Sequence, residues 1–300
     1  MFYGSGVALV TPFKDGKIDE KALTQLIEEQ ITTGTDFLVP CGTTGESPTL
    51  SHEEHDWIIE HSVKIAQGRI KVLAGAGSNS TAEAIRLTQH AKEVGADGTL
   101  QITPYYNKPT QDGLLAHFEA IHEAVDLPIV LYNVPGRTSV NLLPETVTQL
   151  AKFKNIIGIK EASGSLEQVS QIIEGCSSDF IVLSGEDSLT FPMLSLGVKG
   201  AISVTANLVP KLCAEMFHCL GISRHGTQMT KNPNWEKARE IHFKLSEINR
   251  TLFIATNPIP IKSALAMTGK IKDELRLPLT SLKGEKRQAL ENALVNLQLI

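Results

Sequence analysis

Eight short apolar segments alternate with amphipathic segments along the first 220 residues of the chain. The apolar segments are rich in Val, Ile and Leu, as buried strands are, and the segments between them have the period near 3.6 that is typical of helices. The apolar segments are GVALV (6–10), DFLVP (36–40), KVLAGAG (71–77), GTLQITP (98–104), PIVLYNV (128–134), IIGIKEA (156–162), FIVLSGE (180–186) and GAISVTA (200–206). Eight strand–helix units of about 30 residues predict a parallel sheet closed into a (β/α)8 TIM barrel.

A doubly wound open sheet is the alternative fold for such an alternation. It more often contains a GxGxxG turn after a strand, and the sequence GAGSNS at 75–80 does not match that pattern. Helix-start signals agree with the proposed units, since Ser51 is followed by Glu54 and Ser80 by Glu83 at the capping-box spacing. The barrel is therefore the favoured architecture.

The chain continues beyond the eighth unit. A polar segment (222–234) leads to three predicted helices near 235–250, 258–269 and 284–298, the last of which has Leu290, Leu294 and Leu297 on one face. About seventy residues form only a thin core of their own. We therefore predict a barrel over 1–222 and a C-terminal helical extension over 223–300 that packs on it.

Charge and apolar content exclude several classes of function. The net charge is −5 with no basic block, so nucleic acid is not expected as a partner. No apolar run approaches the ~20 residues of a membrane span, and the N-terminus lacks the pattern of a signal peptide. The four cysteines form no CxxC pair or zinc-like spacing. These features predict a cytoplasmic protein without a metal site.

Lys160 ends the apolar run Ile156–Ile159 of the sixth predicted strand. In a TIM barrel, the residues at the carboxyl ends of the strands carry the chemistry. A lysine there can simply reach water at the rim. Alternatively, it can be held in a dry pocket, where the charged form is disfavoured and the neutral amine is a nucleophile for carbonyl compounds. Spacing alone leaves both interpretations open.

Two residues after the fifth strand could serve such a nucleophile. Tyr132 lies one strand away from Lys160, where a phenol could relay protons or only fill the barrel mouth. Arg137 follows in a loop, and its planar guanidinium either binds a carboxylate in a bidentate manner or stays solvated. The loop position itself does not decide between these roles.

The turn CGTTGES (41–47) follows the second strand. Its glycines allow a ligand to approach the backbone, and Thr43 and Thr44 offer hydroxyl and amide groups to a carboxylate or a proton relay. A plain strand-to-helix turn is the alternative. Cys41 has no histidine placed to activate it and is expected to be a small buried residue. An amine, hydroxyls and an arginine at one end of a barrel together suggest a class I aldolase that acts on a keto acid.

Five motifs resemble the dihydrodipicolinate synthase family, which acts in the bacterial lysine and diaminopimelate pathway. The resemblance covers essentially the whole chain in order. The motifs are GTTGE (42–46), TPYYNKP (103–109), LYNVPGRT (131–138), IIGIKEASG (156–164) and AISVTANLVP (201–210). It implies condensation of pyruvate with L-aspartate 4-semialdehyde to 4-hydroxy-tetrahydrodipicolinate, without a metal or organic cofactor.

The resemblance also implies roles for individual catalytic residues. Lys160 is similar to the lysine that forms the Schiff base with pyruvate. Tyr132, Thr43 and Tyr106 resemble the family's proton relay, in which Tyr106 is donated to the site of a neighbouring subunit. The family assembles as a homotetramer, a dimer of dimers, and the same assembly is expected here.

Four further positions match substrate-binding residues of the family. Arg137 matches the residue that binds the carboxylate of the semialdehyde. Thr44 and Gly185 match residues that contact the pyruvate carboxylate and form the wall of the site. Ile202 matches a position whose main-chain carbonyl approaches the lysine.

A second site is implied for L-lysine as a feedback inhibitor. In regulated members of the family, lysine binds at a subunit interface, and an acidic residue there neutralises its α-amine. The matching residues here are Ser47, His52, His55, Asn79, Glu83 and Tyr105. Without the resemblance, the two histidines would be interpreted as exposed helix residues. Pro48 departs from the alanine of many regulated relatives.

Other functions share parts of this pattern. N-acetylneuraminate lyase and keto-sugar-acid aldolases have the same barrel, lysine and tyrosine, but the sialic acid lyases usually lack the arginine found here at Arg137. A barrel that has lost catalysis and only senses lysine would not need to retain Lys160, Tyr132, Thr43 and Arg137 together. The 222–234 segment is longer than the corresponding turn of most relatives, which bears on the predicted tetramer.

Overall fold

The computed structural model describes residues 1–227 and 232–300. Eight parallel strands form a closed barrel in which each strand pairs with its neighbours in the chain and the last pairs with the first. The predicted TIM barrel is therefore confirmed, with strand ends that differ by a few residues from the predicted segments. The strands are β1 (Gly4–Ala8), β2 (Phe37–Val39), β3 (Lys71–Gly75), β4 (Gly98–Ile102), β5 (Ile129–Asn133), β6 (Ile156–Glu161), β7 (Ile181–Ser184) and β8 (Gly200–Ser203).

In the described part of the chain, eight helices longer than a single turn surround the barrel. They are α1 (Glu20–Thr32), α2 (His52–Ala66), α3 (Thr81–Glu93), α4 (Gln111–Ala124), α5 (Pro144–Leu150), α6 (Leu166–Gly175), α7 (Thr190–Ser195) and α8 (Pro210–His218). Ser51 and Glu54 form the predicted capping box at the start of α2. Across the described ranges, none of the helices combines the length and apolarity needed to cross a membrane.

The described residues beyond the barrel form three helices, close to those predicted. They are α9 (Trp235–Thr251), α10 (Ile259–Met267) and α11 (Gly284–Asn296). Leu245, Leu265 and Leu290 are buried in one apolar cluster with Leu23 and Leu38 of the barrel. Because the extension and the barrel share this cluster, α9–α11 are held firmly against the barrel wall.

The polar segment predicted at 222–234 lies partly outside the described residues. Its first half forms a two-stranded hairpin, Ile222–Ser223 with Gly226–Thr227. Residues 228–231 are outside the described part of the chain.

The barrel interior is filled by alternate side chains of the strands. Leu100, Val130, Leu183 and Ile202 belong to one buried interior cluster that also contains Tyr132. A filled interior leaves room for a ligand only at its ends, and in this fold the carboxyl ends of the strands are the end that carries a site.

Candidate active site

Lys160 and Tyr132 are paired across adjacent strands at the carboxyl end of the barrel. They are register partners on β6 and β5, and each is only 6% exposed. The Nζ atom of Lys160 lies 4.1 Å from the centroid of the Tyr132 ring. The rim interpretation of Lys160 is therefore wrong, since its amine is buried against an aromatic face rather than solvated.

Gly185, just after β7, leaves the space that the Lys160 side chain occupies. A Cβ atom at this position would lie 3.0 Å from Cε of Lys160 and 2.6 Å from Cβ of Ala162. Both distances are shorter than normal van der Waals contact, so only glycine fits here without displacing a neighbour. Ile202 is buried on β8 in the same interior cluster as Tyr132.

The turn after β2 is tightly folded. Cys41 and Glu46 both adopt left-handed backbone conformations, with φ of 56° and 54°, and Thr43–Gly45 form one 3-10 turn between them. The hydroxyl of Thr11 donates a hydrogen bond to the carbonyl of Gly45 (2.7 Å). Burial raises the pKa of the Cys41 thiol, so this cysteine is the small buried residue that the sequence predicted and not a nucleophile.

Arg137 lies in a single helical turn, Pro135–Thr138, that follows β5. Nη2 of its guanidinium donates a hydrogen bond to the main-chain carbonyl of Asn257 (3.0 Å). The Nδ2 group of Asn257 donates in turn to Oγ1 of Thr44 (3.0 Å). Asn257 could not be identified from the sequence, because its partners lie 120 and 213 positions away and no local pattern indicates such a contact.

A cavity of about 450 Å³ opens beside these residues. It is lined by residues from both predicted sites, so the structure brings part of each set to one cavity. Of the predicted residues, the lining includes Thr43, Ser47, His52, His55, Glu83, Tyr105, Tyr132 and Arg137. Lys160, Thr44, Gly185, Ile202, Asn79 and Tyr106 do not line it. Pro48, the departure from many regulated relatives, is part of the wall.

Glu83 and His52 form a polar pair at the outer part of the cavity. Nε2 of His52 lies 3.0 Å from Oε1 of Glu83, and the hydroxyl of Ser78 donates a short hydrogen bond to the same carboxylate. The Ser78 hydrogen bond and then the His52 contact hold the pKa of Glu83 below its usual range. An ionised carboxylate at this position can bind an ammonium group.

His55 differs from His52 although the two lie one turn apart on α2. The alternative interpretation was that both histidines are exposed helix residues. His52 is exposed, but His55 is buried, so this interpretation is wrong for His55. Burial lowers the pKa of His55 to about 4. Among the described residues, no hydrogen-bond partner is found for its Nδ1 atom. His55 therefore presents a neutral imidazole.

The adjacent Tyr105 and Tyr106 point to different surroundings. Tyr105 lines the cavity, and its carbonyl accepts a hydrogen bond from Nδ2 of Asn79 (3.2 Å). Tyr106 is 91% exposed and has a φ of 72°. Within a single chain, the three predicted relay residues Thr43, Tyr132 and Tyr106 are therefore not brought together.

Known proteins share this architecture over its full length. The model of the Dihydrodipicolinate synthetase family matches residues 1–297. A 4-hydroxy-tetrahydrodipicolinate synthase of Geotalea uraniireducens is 55% identical over 94% of each chain. The dihydrodipicolinate synthase of Acinetobacter baumannii solved with pyruvate is 44% identical over 100% of both chains, with a TM-score of 0.94. That of Cyanidioschyzon merolae with lysine bound is 41% identical over 100% of this chain and 99% of its own, with a TM-score of 0.92. Because the family model matches nearly every residue and the full-length relatives are more than 40% identical in sequence, the chain belongs to the dihydrodipicolinate synthetase family.

Proposed function

We propose that this chain is a lyase that condenses pyruvate with L-aspartate 4-semialdehyde to 4-hydroxy-tetrahydrodipicolinate. This reaction is the committed step of diaminopimelate and lysine biosynthesis. The observation that carries the proposal is the burial of Lys160 against the ring of Tyr132 beside the cavity. The name of the Geotalea uraniireducens relative and the pyruvate complex of the Acinetobacter baumannii relative support it.

Lys160 is the nucleophile that begins the reaction. Its nitrogen attacks the keto carbon of pyruvate, and the carbinolamine loses water to give an iminium ion. Tyr132 is the register partner of Lys160 on the adjacent strand. Its phenol moves protons to and from the carbinolamine oxygen.

Loss of a methyl proton from the iminium ion gives an enamine. Its terminal carbon attacks the aldehyde carbon of the second substrate, and the aldehyde oxygen takes a proton to become the 4-hydroxyl group. The α-amine of the product then attacks the imine carbon, closes the ring and releases Lys160. One water is lost overall, and the iminium nitrogen serves as the electron sink throughout.

The remaining predicted residues bind the two substrates. Thr44, in the turn after β2, holds the carboxylate of the keto acid with its hydroxyl, together with other groups of the same turn. Arg137 lines the cavity with its guanidinium anchored on Asn257, and it binds the carboxylate of the semialdehyde. Gly185 gives the Lys160 side chain its space. The proposal also assigns to Ile202 a main-chain carbonyl that approaches the lysine.

The proposed assembly completes the proton relay. Tyr106 is exposed and held in a left-handed conformation, which suits a residue that reaches into the site of a neighbouring subunit. The proposal includes a homotetramer built as a dimer of dimers, with the barrel over 1–222 carrying the site and 223–300 as the extension. It also includes a cytoplasmic location, which cell fractionation tests.

L-lysine is proposed as a feedback inhibitor that binds the outer part of the cavity. The ionised carboxylate of Glu83 receives the ammonium group of the ligand, and His52 and the neutral imidazole of His55 offer hydrogen bonds. Ser47 and Tyr105 complete the wall, and Asn79 supports the Tyr105 backbone. The lysine-bound relative from Cyanidioschyzon merolae supports this assignment.

The test is a comparison of two aldehyde acceptors. Pyruvate consumption is measured with L-aspartate 4-semialdehyde and, in parallel, with N-acetylmannosamine, for the wild-type chain and for Lys160→Ala. We expect turnover with the semialdehyde only, and its loss in the variant. Lys154→Ala removes an exposed lysine just before the same strand and serves as the matched control.

Each other outcome identifies a different function. Turnover with the sugar instead would retain the Schiff base but assign the chain to the sialic acid lyases. Wild-type protein that binds L-lysine without consuming pyruvate would identify a sensor. A Lys160→Ala variant with half the wild-type rate would exclude the Schiff-base mechanism.

A further inference from the structure

Asn257 connects the C-terminal extension to two predicted substrate-binding residues. It lies between α9 and α10 and is 6% exposed. Its side-chain Nδ2 donates to the hydroxyl of Thr44, and its main-chain carbonyl accepts from the guanidinium of Arg137, both at 3.0 Å. One residue of the extension therefore joins the turn after β2 to the turn after β5.

The hydrogen bond to Thr44 has a direction that matters for ligand binding. A hydroxyl has one proton to donate and two lone pairs that accept. Because Thr44 accepts the N–H of Asn257, its own proton is directed elsewhere. Thr44 is thereby prepared to donate to an acceptor such as a carboxylate.

The amide oxygen of Asn257 makes the choice of this residue informative. Within the described part of the chain, its buried Oδ1 atom has no hydrogen-bond partner. An unpaired buried carbonyl costs free energy, and an apolar residue of similar size would avoid that cost. The hydrogen bond from Nδ2 to Thr44 is therefore the one that the Asn257 side chain makes within the described residues, so a side-chain substitution tests it directly.

A second contact fixes the same segment on the same turn. Lys262 of α10 and Glu46, at the end of the turn, form an ion pair in which both side chains are fully buried. The second carboxylate oxygen of Glu46 accepts the backbone N–H of Arg276 (3.1 Å). Since residues 257 and 262 both bind the 44–46 stretch, Asn257 cannot shift easily relative to Thr44.

We propose that Asn257 is a positioning residue for the keto acid, acting through the hydroxyl of Thr44. This assignment rests on the function proposed above. The side chain of Asn257 acts on Thr44, whereas its backbone carbonyl acts on Arg137. A side-chain substitution therefore weakens the binding of pyruvate and leaves the binding of the semialdehyde nearly unchanged.

The experiment measures the pyruvate adduct of Lys160 directly. Each variant is incubated with increasing pyruvate, reduced with borohydride and analysed by intact mass, and KM for both substrates is measured alongside. For Asn257→Ala we expect the half-maximal pyruvate concentration to rise about fivefold, as the loss of one hydrogen bond predicts, with little change in the KM of the semialdehyde. Asn257→Asp has the same shape, but its side chain cannot donate a hydrogen bond when ionised. We expect it to raise the half-maximal pyruvate concentration further than Asn257→Ala does.

A double-mutant cycle separates this role from general stabilisation. If Asn257 acts through Thr44, then Asn257→Ala has little further effect on the adduct in a Thr44→Ala background. Asn249→Ala is the matched control, because Asn249 is also buried in the extension and its Oδ1 accepts a hydrogen bond from another threonine hydroxyl, that of Thr205 (2.7 Å). We expect it to lower the thermal midpoint without changing the pyruvate dependence.

Two failures are distinguishable. A wild-type chain that forms no pyruvate adduct would contradict the proposed function itself. Wild-type adduct formation with the same pyruvate dependence in Asn257→Ala and Asn257→Asp would overturn only the assignment of Asn257. Additive effects of Thr44→Ala and Asn257→Ala would overturn it as well, and if Asn257→Ala fails to fold, Asn257→Asp provides the same readout.

Discussion

Asn133 and Glu161 pair on the outer face of the barrel, one residue beyond Tyr132 and Lys160 on the same two strands. Nδ2 of Asn133 lies 3.0 Å from Oε2 of Glu161, and both side chains are buried. The carboxylate also accepts the backbone N–H of Ser163 (2.7 Å). Because successive side chains of a strand point to opposite faces, this outer pair fixes the strand ends that present Tyr132 and Lys160 inward.

The amide donors around Glu161 predict the effect of removing its charge. Glu161→Gln keeps the shape but turns an NH2 group toward donors such as Gln168, whose Nε2 lies 3.2 Å from the carboxylate. We expect a loss of about 1–3 kcal/mol in the free energy of unfolding, measured with urea, and a lower kcat. Glu174→Gln, at an exposed position of α6, should change stability by less than about 0.5 kcal/mol. Equal stability of the two variants would contradict this prediction.

Gly185→Ala tests the space beside Lys160. The added methyl group would lie 3.0 Å from Cε of Lys160, so we expect slower formation of the borohydride-trapped pyruvate adduct. It would also lie 2.6 Å from Cβ of Ala162, which predicts a loss of about 1–3 kcal/mol in stability.

Adding Ala162→Gly to Gly185→Ala separates the two contacts. This second change removes the clash with Cβ of Ala162 and should restore part of the thermal stability. It leaves the crowding at Lys160, so adduct formation should stay slow. Recovery of both properties together would show that the spacing at Lys160 itself is not limiting.

The barrel and the candidate lysine could be predicted because both depend on local pattern. The strand–helix period requires no knowledge of distant contacts, and the position of Lys160 at the end of a strand places it at the functional face. The same reasoning could not decide whether the Lys160 amine is buried. That depends on Tyr132 and Gly185, which meet Lys160 only when the neighbouring strands close around it.

Contacts made by the extension were beyond prediction for the same physical reason. Asn257 reaches Thr44 across 213 positions, and Lys262 reaches Glu46 across 216. Nothing in the residues around Asn257 indicates its partners. The role proposed for Tyr106 is a different case. A contact of this exposed residue with a neighbouring subunit cannot be derived from a single chain.

The lowered pKa of His55 predicts a stability loss in acid. In the folded chain this pKa is about 4, against an ordinary value of 6.5, because burial disfavours the imidazolium. Between these values the unfolded chain binds more protons, so stability is present above about pH 6.5 and is lost as the pH falls through about 4. The difference of 2.5 units corresponds to about 3 kcal/mol.

Urea unfolding at about pH 7 and about pH 4.5 measures this contribution. His55→Gln cannot titrate, so its stability should fall less between the two pH values than that of the wild type. His225→Gln, at an exposed position, should follow the wild type. A wild-type-like loss in His55→Gln would assign the acid sensitivity to other groups, of which buried His117, with its pKa also lowered to about 4 by burial, is the first to test.

Glu83→Gln tests the proposed feedback site. The Glu83 carboxylate is kept ionised by Ser78 and His52, so it offers a full negative charge to the ammonium group of L-lysine. Neutralising a charge-assisted hydrogen bond typically costs about 1.5–3 kcal/mol, which corresponds to at least a tenfold rise in the inhibition constant of L-lysine. Turnover without lysine should be nearly unchanged, because Glu83 lies at the outer part of the cavity.

Glu53→Gln is the control for Glu83→Gln. It removes an exposed carboxylate next to His52 and should leave inhibition by L-lysine intact. If Glu83→Gln and Glu53→Gln were inhibited equally, lysine would not bind through Glu83. If the wild type kept its full rate in millimolar L-lysine, feedback inhibition itself would be excluded.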